Sequence, residues 1–523
     1  MSKYFNIAGP CNPQDHYMLN AADRLREVMP LIEQKQYFVI HAARQSGKTT
    51  FLWDLEQRLN DSGKYYALYC SLEGLQGVTD PKEGIPAIVN CIKLALQMQA
   101  VIPDRETFAQ SADFSDFTNV LLAELCKFCS RLDRPLVILF DEADCLSANT
   151  LISFLRQLRN GYNSRIRTPF VHTVALVGMR NIRDFKAQVR PDSETLGSAS
   201  PFNIVTKSLT LTNFTQEEIV TLYAQHTNDT GQIFEPQALE LVYRQTQGQP
   251  WLVNAIAREV VVETLQSDYT QPVTAPMVSE AIQTIIRRRD THIDSLLERL
   301  KEERVRRIIE PVIIGEQASI EMLSDDYRYT EDLGLVRYTP SVGVAPANPI
   351  YAEVIVRTLN WSSQSEIEST HPEYHMPRYF KDGKIDVGYL LRDFQDFWRE
   401  NSEIWEERFQ YKEAAPHLIL MAFLQRVING GGHLIREMAA GKKRLDLCID
   451  YKANKYPLEL KVYRKESTYD EGIVQLARYM DTLGSAEGWL LVFDRRPDRT
   501  WGEKIFTRTE TTPDGKMITI VGC

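Results

Sequence analysis

The stretch QKQYFVIHAARQSGKTTFLWDLEQRL, Gln34 to Leu59, changes its hydrophobic period partway along. Tyr37 to His41 is a short apolar run with polar flanks and reads as a buried strand. From about Lys48 onward, Leu52, Leu55 and Leu59 recur at helical spacing and predict an amphipathic helix. The polar loop between them, Ala42-Ala43-Arg44-Gln45-Ser46-Gly47-Lys48-Thr49, has the spacing of a phosphate-binding loop, with Ala42 in place of the first glycine. Gly47 lets the main chain come close to an anion, and the N–H groups opening the helix cradle it. Lys48 is expected to reach the outer phosphates and the Thr49 hydroxyl to ligate Mg2+, with Thr50 beside them in the nucleotide-binding set.

A second segment, RPLVILFDEADCL, carries an apolar run from Leu136 to Phe140 that ends in Asp141-Glu142. Continuous apolar runs are the mark of strands buried on both faces of a parallel sheet. Acids at the carboxyl end of such a strand lie where α/β sheets bind ligands. Asp141 is expected to hold Mg2+ through water, and Glu142 to polarise an attacking water. A third strand, Val171 to Val177, runs into Gly178-Met179-Arg180, and Arg180 is placed to stabilise charge on a γ-phosphate. Arg156, Arg159 and Arg183 are further candidates for that duty.

These motifs, with SPFNI (Ser200 to Ile204), LTLTNFTQEEI and GQPWLVNAIA (Gly248 to Ala257), resemble AAA-like P-loop ATPases of the STAND and Orc/Cdc6 kind over roughly residues 1 to 360. The resemblance implies ATP and Mg2+ as cofactors and homo-oligomers formed through the ATPase domain. It also implies a phosphate-sensing arginine at Arg180 and a Gly-x-Pro beside the nucleotide at Gly248 and Pro250. FNIAGP (Phe5 to Pro10) and HYML (His16 to Leu19) lie where such proteins place residues around the base.

Residues 206 to 285 read as short amphipathic helices, the pattern of a lid. The run Arg287-Arg288-Arg289 reads as a solvated face. The segment around Asp332 to Arg337, then Val344 to Ile350, reads as a helix with a β-hairpin, a winged-helix pattern spanning residues 286 to 360. Its local acids favour transmission of motion over a grip on DNA. Residues 361 to 385 are polar and rich in breakers, and a helical stretch follows, so 361 to 404 reads as a connection.

In the last part, RLDLCIDYKANKYPLELKVYR alternates on both sides of a polar turn, Lys452 to Lys455. Folding this hairpin about residues 453 and 454 sets Asp446 opposite Lys461, with Glu459 a diagonal neighbour on the same face. Two carboxylates and a lysine on one face can hold Mg2+ or Mn2+ and activate a water. The spacing resembles the PD-(D/E)xK nucleases. The resemblance extends to Gln475 and Tyr479 on the next helix, which match the QxxxY element of the RecB-like branch. Glu413 upstream matches the acid contributed by the first helix. Residues 405 to 523 are then expected to form a restriction-endonuclease-like α/β domain. Lys442, Lys443, Arg444, Lys452, Lys455, Arg464 and Lys465 would neutralise a nucleic-acid backbone, with DNA as the expected partner.

The chain has 523 residues and a net charge of −10, yet residues 401 to 523 carry 19 Lys and Arg against 18 Asp and Glu. The acid excess therefore lies upstream, and a basic surface near the carboxyl end is compatible with it. No stretch is apolar enough for a membrane helix, and MSKYFNIAGPCNPQDHY has no signal core. Eight scattered cysteines fit a reducing cytoplasm, with Cys126 and Cys129 on a helix face. The expected architecture is α/β: a parallel P-loop NTPase sheet over 1 to 205, the lid, the winged helix and the nuclease-like domain. Three functions fit it. In the first, ATP gates a metal-dependent DNA endonuclease in prokaryotic defence or DNA maintenance. In the second, a STAND-type switch carries a non-cutting domain that binds nucleic acid or partners, and in the third, a DNA-translocating ATPase cuts only secondarily.

Overall fold

The computed structural model describes residues 3–20, 24, 26–179, 205–288, 291–313, 324–340, 343–370, 376–381, 384–406, 415–428, 432–437, 446–452 and 454–523. Contacts divide the chain into two compact units, Met1–His292 with Glu331–Gly334, and Ile293–Thr330 with Leu335–Cys523. Five spans were expected from the sequence.

In the first unit, β1 (Tyr37–His41), β2 (Tyr66–Ser71), β3 (Leu136–Asp141), β4 (Thr173–Gly178) and β5 (Val205–Thr210) form one sheet in the order β2-β3-β4-β1-β5. Every neighbouring pair is parallel. Parallel neighbours need crossovers, which here are helices laid on both faces. Helix α1 (Lys48–Asp61) buries Phe51, Leu52, Leu55 and Leu59 against one face, with Phe38, Ile40, Val137 and Leu139 of the sheet. Helices α2 (Pro81–Met98), α3 (Val120–Cys129) and α4 (Ala148–Ser164) cover the other face, against Val39, Leu68, Ile138 and Phe140. All residues of β1, β3 and β4 are buried, which is why their sequences lack alternation. Cys126 and Cys129 lie on α3 and pack against this core, and burial pushes the Cys129 thiol up to about 12.

The sheet continues past the boundary expected at residue 205, because β5 pairs with β1. Four helices follow: α5 (Gln216–Thr230), α6 (Pro236–Thr246), α7 (Pro250–Arg258) and α8 (Ala275–Arg288). Thr215 and Glu218 form a capping box on α5. Pro250 opens α7, and the Gln249 side chain caps it by accepting from Leu252 N at 2.6 Å. Arg288, from the basic run, pairs with Glu259 at 2.6 Å.

The second unit contains α9 (Glu303–Ile313), a helix at Asp325–Asp332 whose last two residues belong to the first unit, and an antiparallel hairpin of β6 (Val336–Thr339) and β7 (Gly343–Pro346). Ile350, expected in the hairpin, lies in α10 (Pro349–Thr370). That helix also runs through residues 361 to 370, which read as a connection from their polarity. The stretch contains no Pro or Gly until Pro372, and Ser, Gln and Glu do not break a helix. After α11 (Val387–Glu406) and α12 (Ala415–Ile428) comes a six-stranded mixed sheet. Its strands are β8 (Gly432–Glu437), β9 (Asp446–Tyr451), β10 (Asn454–Val462), β11 (Glu487–Phe493), β12 (Phe506–Thr511) and β13 (Met517–Gly522), in the order β8-β9-β10-β11-β13-β12. Helix α13 (Ser467–Leu483) connects the parallel strands β10 and β11 and packs Leu476 and Met480 on Leu490, Val492, Ile518 and Ile520. Among the described residues, no helix is long and apolar enough to cross a membrane.

Candidate functional site

The loop from Ala42 to Gly47 leaves the carboxyl end of β1, between β4 and β5, and enters α1. Crevices at this end of a parallel sheet are where such folds bind ligands. Gly47, the residue before the helix, has φ 88°, which favours glycine. Gln45 holds φ 56° without being glycine, a conformation that costs on the order of 1 kcal/mol and recurs at binding loops. Lys48 is buried, and its ammonium donates to the carbonyls of Ala42 at 3.1 Å and Ala43 at 3.0 Å, folding over the loop. Burial lowers its pKa, and the nearby charges of Glu142, Asp141 and Asp144 oppose that shift. Arg44 is exposed, Ser46 is buried, and Thr50 Oγ1 accepts from Cys11 N at 3.0 Å.

Asp141 ends β3 and is buried. Its Oδ2 accepts from Thr49 Oγ1 at 2.7 Å and from Tyr69 Oη at 3.1 Å, and its Oδ1 accepts from Glu142 N at 3.0 Å. A hydroxyl and a carboxylate this close supply the hard oxygen donors that Mg2+ takes, so this pair fits the metal. Glu142 adopts φ 54°, a left-handed conformation at a non-glycine residue. Burial raises the pKa of Glu142, partly offset by Lys48. Asp144 accepts from Met179 N at 3.1 Å, fixing the end of β4. Arg180 and Arg183 lie outside the described residues, as does SPFNI, so the phosphate-sensing assignment has no geometry. Arg156 is exposed on α4, and Arg159 is half-buried.

Gly248 has φ 73°, and its carbonyl accepts from Phe214 N at 2.8 Å. A Cβ there would meet Phe214 O at 1.8 Å, so only glycine allows this backbone approach. Gln249 Nε2 reaches Gln45 O of the loop at 3.4 Å. Pro250 is buried at the start of α7, and the next residue, Trp251, donates to Ile7 O at 2.9 Å. The amino-terminal segment is further tied to α5 by Gln225, which exchanges two hydrogen bonds with the Met18 main chain. His292 packs against Trp251 with ring centroids 4.7 Å apart and planes tilted by 32°. Burial, together with the Arg44 charge, pushes the His292 pKa down to about 3.

Sequence reasoning missed two residues here. Tyr69 touches Asp141. The half-buried guanidinium of Arg24 donates to Ser46 O at 3.3 Å and to Thr212 O, and lies 4.9 Å over the Phe214 ring. Burial lowers the Arg24 pKa to about 10. Neither residue has a local spacing that links it to the loop.

In the second unit, the hairpin register differs from the expectation. Asp446 pairs directly with Glu459, and the turn closes between Tyr451 and Asn454. Lys461 is therefore two residues beyond the pair, not opposite Asp446. The expected pivot was one residue too far along, because Lys452, with φ 47°, takes a left-handed turn position without being glycine. A shift of two residues leaves the faces unchanged, so Asp446, Glu459 and Lys461 still share one face. Glu459 is fully buried, and Lys461 Nζ lies 2.8 Å from its Oε1. Lys461 also donates to Gln475 Oε1 on α13, and Tyr479 is buried one turn further along. Glu413, Lys442, Lys443 and Arg444 lie outside the described residues, and so does the side chain of Asp446. Among the described residues, no three His, Cys, Asp or Glu side chains group to hold a metal. Glu459 supplies a hard oxygen donor, and the register sets Asp446 beside it, so the donor chemistry fits Mg2+ or Mn2+.

No family model matches the sequence, and no curated protein does. Among solved structures, the chain is similar to a Walker-type ATPase of Pyrococcus abyssi, at 14% identity and a TM-score of 0.46, covering 67% of this chain and 99% of that one. It is also similar to the RuvB Holliday junction branch migration motor of Thermotoga maritima, at 14% identity and a TM-score of 0.34, covering 64% of this chain and 94% of that one. A third likeness is to Cdc6p from Pyrobaculum aerophilum, at 12% identity and a TM-score of 0.36, covering 65% of this chain and 94% of that one. Likenesses this distant say nothing about activity, for which the case rests on the side chains.

Proposed function

We propose that the chain is an AAA-like P-loop ATPase whose nucleotide cycle governs a metal-dependent DNA endonuclease in its carboxyl-terminal part. One observation carries the ATPase reading: Thr49 Oγ1 and Asp141 Oδ2 meet at 2.7 Å, beside a lysine folded into the loop that precedes them. Ala42 to Thr50 would wrap the phosphates of ATP, with Lys48 turning from the loop carbonyls to the outer phosphates. Thr49 and Asp141 would hold Mg2+, which when bound neutralises the phosphates and orients them for attack. Glu142 would polarise the attacking water, and Arg180 would stabilise charge on the γ-phosphate. Gly248 and Pro250 would bring the helical lid to the nucleotide, and Phe5 to Pro10 with His16 to Leu19 would border the base.

In the second unit, Asp446 and Glu459 would hold Mg2+ or Mn2+, with Lys461 orienting a water and Gln475 orienting Lys461. The Lys461–Gln475 hydrogen bond supports that last role. Glu413 would complete the acid set. DNA is the proposed partner, in a cytoplasmic homo-oligomer built through the ATPase domain. Plasmid incubated with the full chain and Mn2+, with and without ATP, tests the reading. Cleavage that EDTA abolishes, and that Glu459→Ala abolishes while ATP hydrolysis persists, is expected. Intact plasmid in every lane, with hydrolysis retained, would leave the STAND-type switch.

A further inference from the structure

Asp141 is a buried carboxylate with hydrogen bonds on both oxygens, and the donors differ in kind. Glu142 N belongs to the neighbouring peptide. Thr49 Oγ1 has a second duty, since its oxygen is the one a metal would take. Tyr69 Oη, at 3.1 Å from Oδ2, is the third donor and is free of that duty.

Its position is set by packing. β2 and β3 are parallel, with Tyr69 beside Leu139 and Ser71 beside Asp141. Tyr69 N donates to Glu56 Oε1 at 2.8 Å, and the Trp53 ring meets the Tyr69 ring edge-on, with centroids 6.0 Å apart. Glu56 and Trp53 both stand on α1, the helix that carries Thr49. A phenol is protonated at neutral pH, so the hydroxyl is a donor to the carboxylate. A carboxylate that must face a metal through water needs its orientation fixed by groups outside the metal's own shell.

We infer that Tyr69 is a positioning residue for the nucleotide-bound metal: its hydroxyl holds the Asp141 carboxylate in its metal-facing orientation when Thr49 turns its oxygen to the ion. The inference rests on the ATPase reading and adds a residue from β2 that no phosphate-loop motif contains. It also predicts a separation. Tyr69 acts on the metal and not on the nucleotide, so its removal should leave metal-free nucleotide affinity in place.

The experiment uses the full chain, its Tyr69→Phe variant and a fluorescent ADP, titrated in EDTA and then at graded Mn2+, with bound Mn2+ followed by its electron paramagnetic resonance. Tyr69→Phe keeps the ring and its packing. The Mn2+ concentration for half-saturation of the nucleotide complex should rise about tenfold, the low end for one hydrogen bond to a carboxylate. ADP affinity in EDTA should move less than twofold. In steady-state hydrolysis, the Mg2+ requirement should rise by more than kcat falls. An unchanged metal requirement overturns the inference. An equal loss of ADP affinity with and without metal also overturns it, because that is the effect of a displaced strand. If the unaltered chain binds no ADP under either condition, the ATPase reading falls and takes Tyr69 with it.

Discussion

The two lysines at the candidate sites are satisfied in opposite ways. Lys48 donates to two main-chain carbonyls, and the carboxylate nearby, Asp141, is held by neutral donors. Its cation and its anion are both available to a charged ligand. Lys461 instead lies 2.8 Å from Glu459 Oε1, and a glutamine holds its other side. Here cation and anion already answer one another. A nucleotide with its metal can enter the first site by exchanging neutral hydrogen bonds for charged ones. A metal at the second must share Glu459 with an ammonium. On the proposed reading, the first site would be ready for occupancy, whereas the second holds its charges balanced until a ligand competes for them.

Removing Lys48 should have the largest effect. Lys48→Ala loses a charge-assisted contact that nothing else in the loop replaces, so affinity for fluorescent ATP should fall roughly a hundredfold. Affinity within threefold of the unaltered chain would erase the contrast.

Next in size, Lys461→Ala leaves the buried Glu459 carboxylate without its ammonium. Breaking a fully buried pair costs about 3–5 kcal/mol. Lys461 keeps 18% of its side chain exposed, so about 2 kcal/mol, or roughly 5 °C in melting temperature, is expected. Mn2+ should restore the lost temperature by taking the place of the ammonium. A variant that melts with the unaltered chain, or that Mn2+ leaves unchanged, would break the second half of the comparison.

A third effect, of similar size in free energy and seen only as a difference between pH profiles, concerns acid sensitivity near the first site. His292 is buried, with its pKa held at about 3 against an ordinary 6.5. The unfolded chain therefore binds a proton below about 6.5 that the folded chain refuses until about 3. The stability this contributes is complete above 6.5 and is lost progressively as pH falls toward 3. Between pH 7.5 and 5 the loss amounts to about 2 kcal/mol. His292→Phe keeps a ring against Trp251, and its melting temperature should fall less over that interval. Parallel pH profiles for the two proteins would exclude the effect.

The first site was largely legible in the sequence because its signals are local and reinforce one another. A buried strand, a glycine at a helix start and an acid pair after an apolar run each occupy a few consecutive residues. What escaped depends on tertiary approach. Tyr69 is 72 positions from Asp141 and meets it only because β2 and β3 pair in parallel. Arg24 and Ser46 are 22 positions apart, with no periodicity joining them. In the hairpin, alternation placed Asp446, Glu459 and Lys461 on one face, since faces follow from a period of two. The cross-strand partner depends on where the turn sits, and Lys452 supplies the positive φ there without a glycine to mark it. The edge strand β12 and its neighbour β13 contain no motif.

The fold of Lys48 onto carbonyls bears on which anions the chain ignores. A bare ammonium would attract orthophosphate, sulfate or any nucleic-acid phosphodiester. Here a single small anion gains little by displacing two hydrogen bonds that are already made. On the proposed ATPase reading, a polyphosphate long enough to span the helix opening, the ammonium and the Thr49 hydroxyl together would recover more than it disrupts. The loop would then discriminate by ligand length, and orthophosphate would be a poor competitor for it.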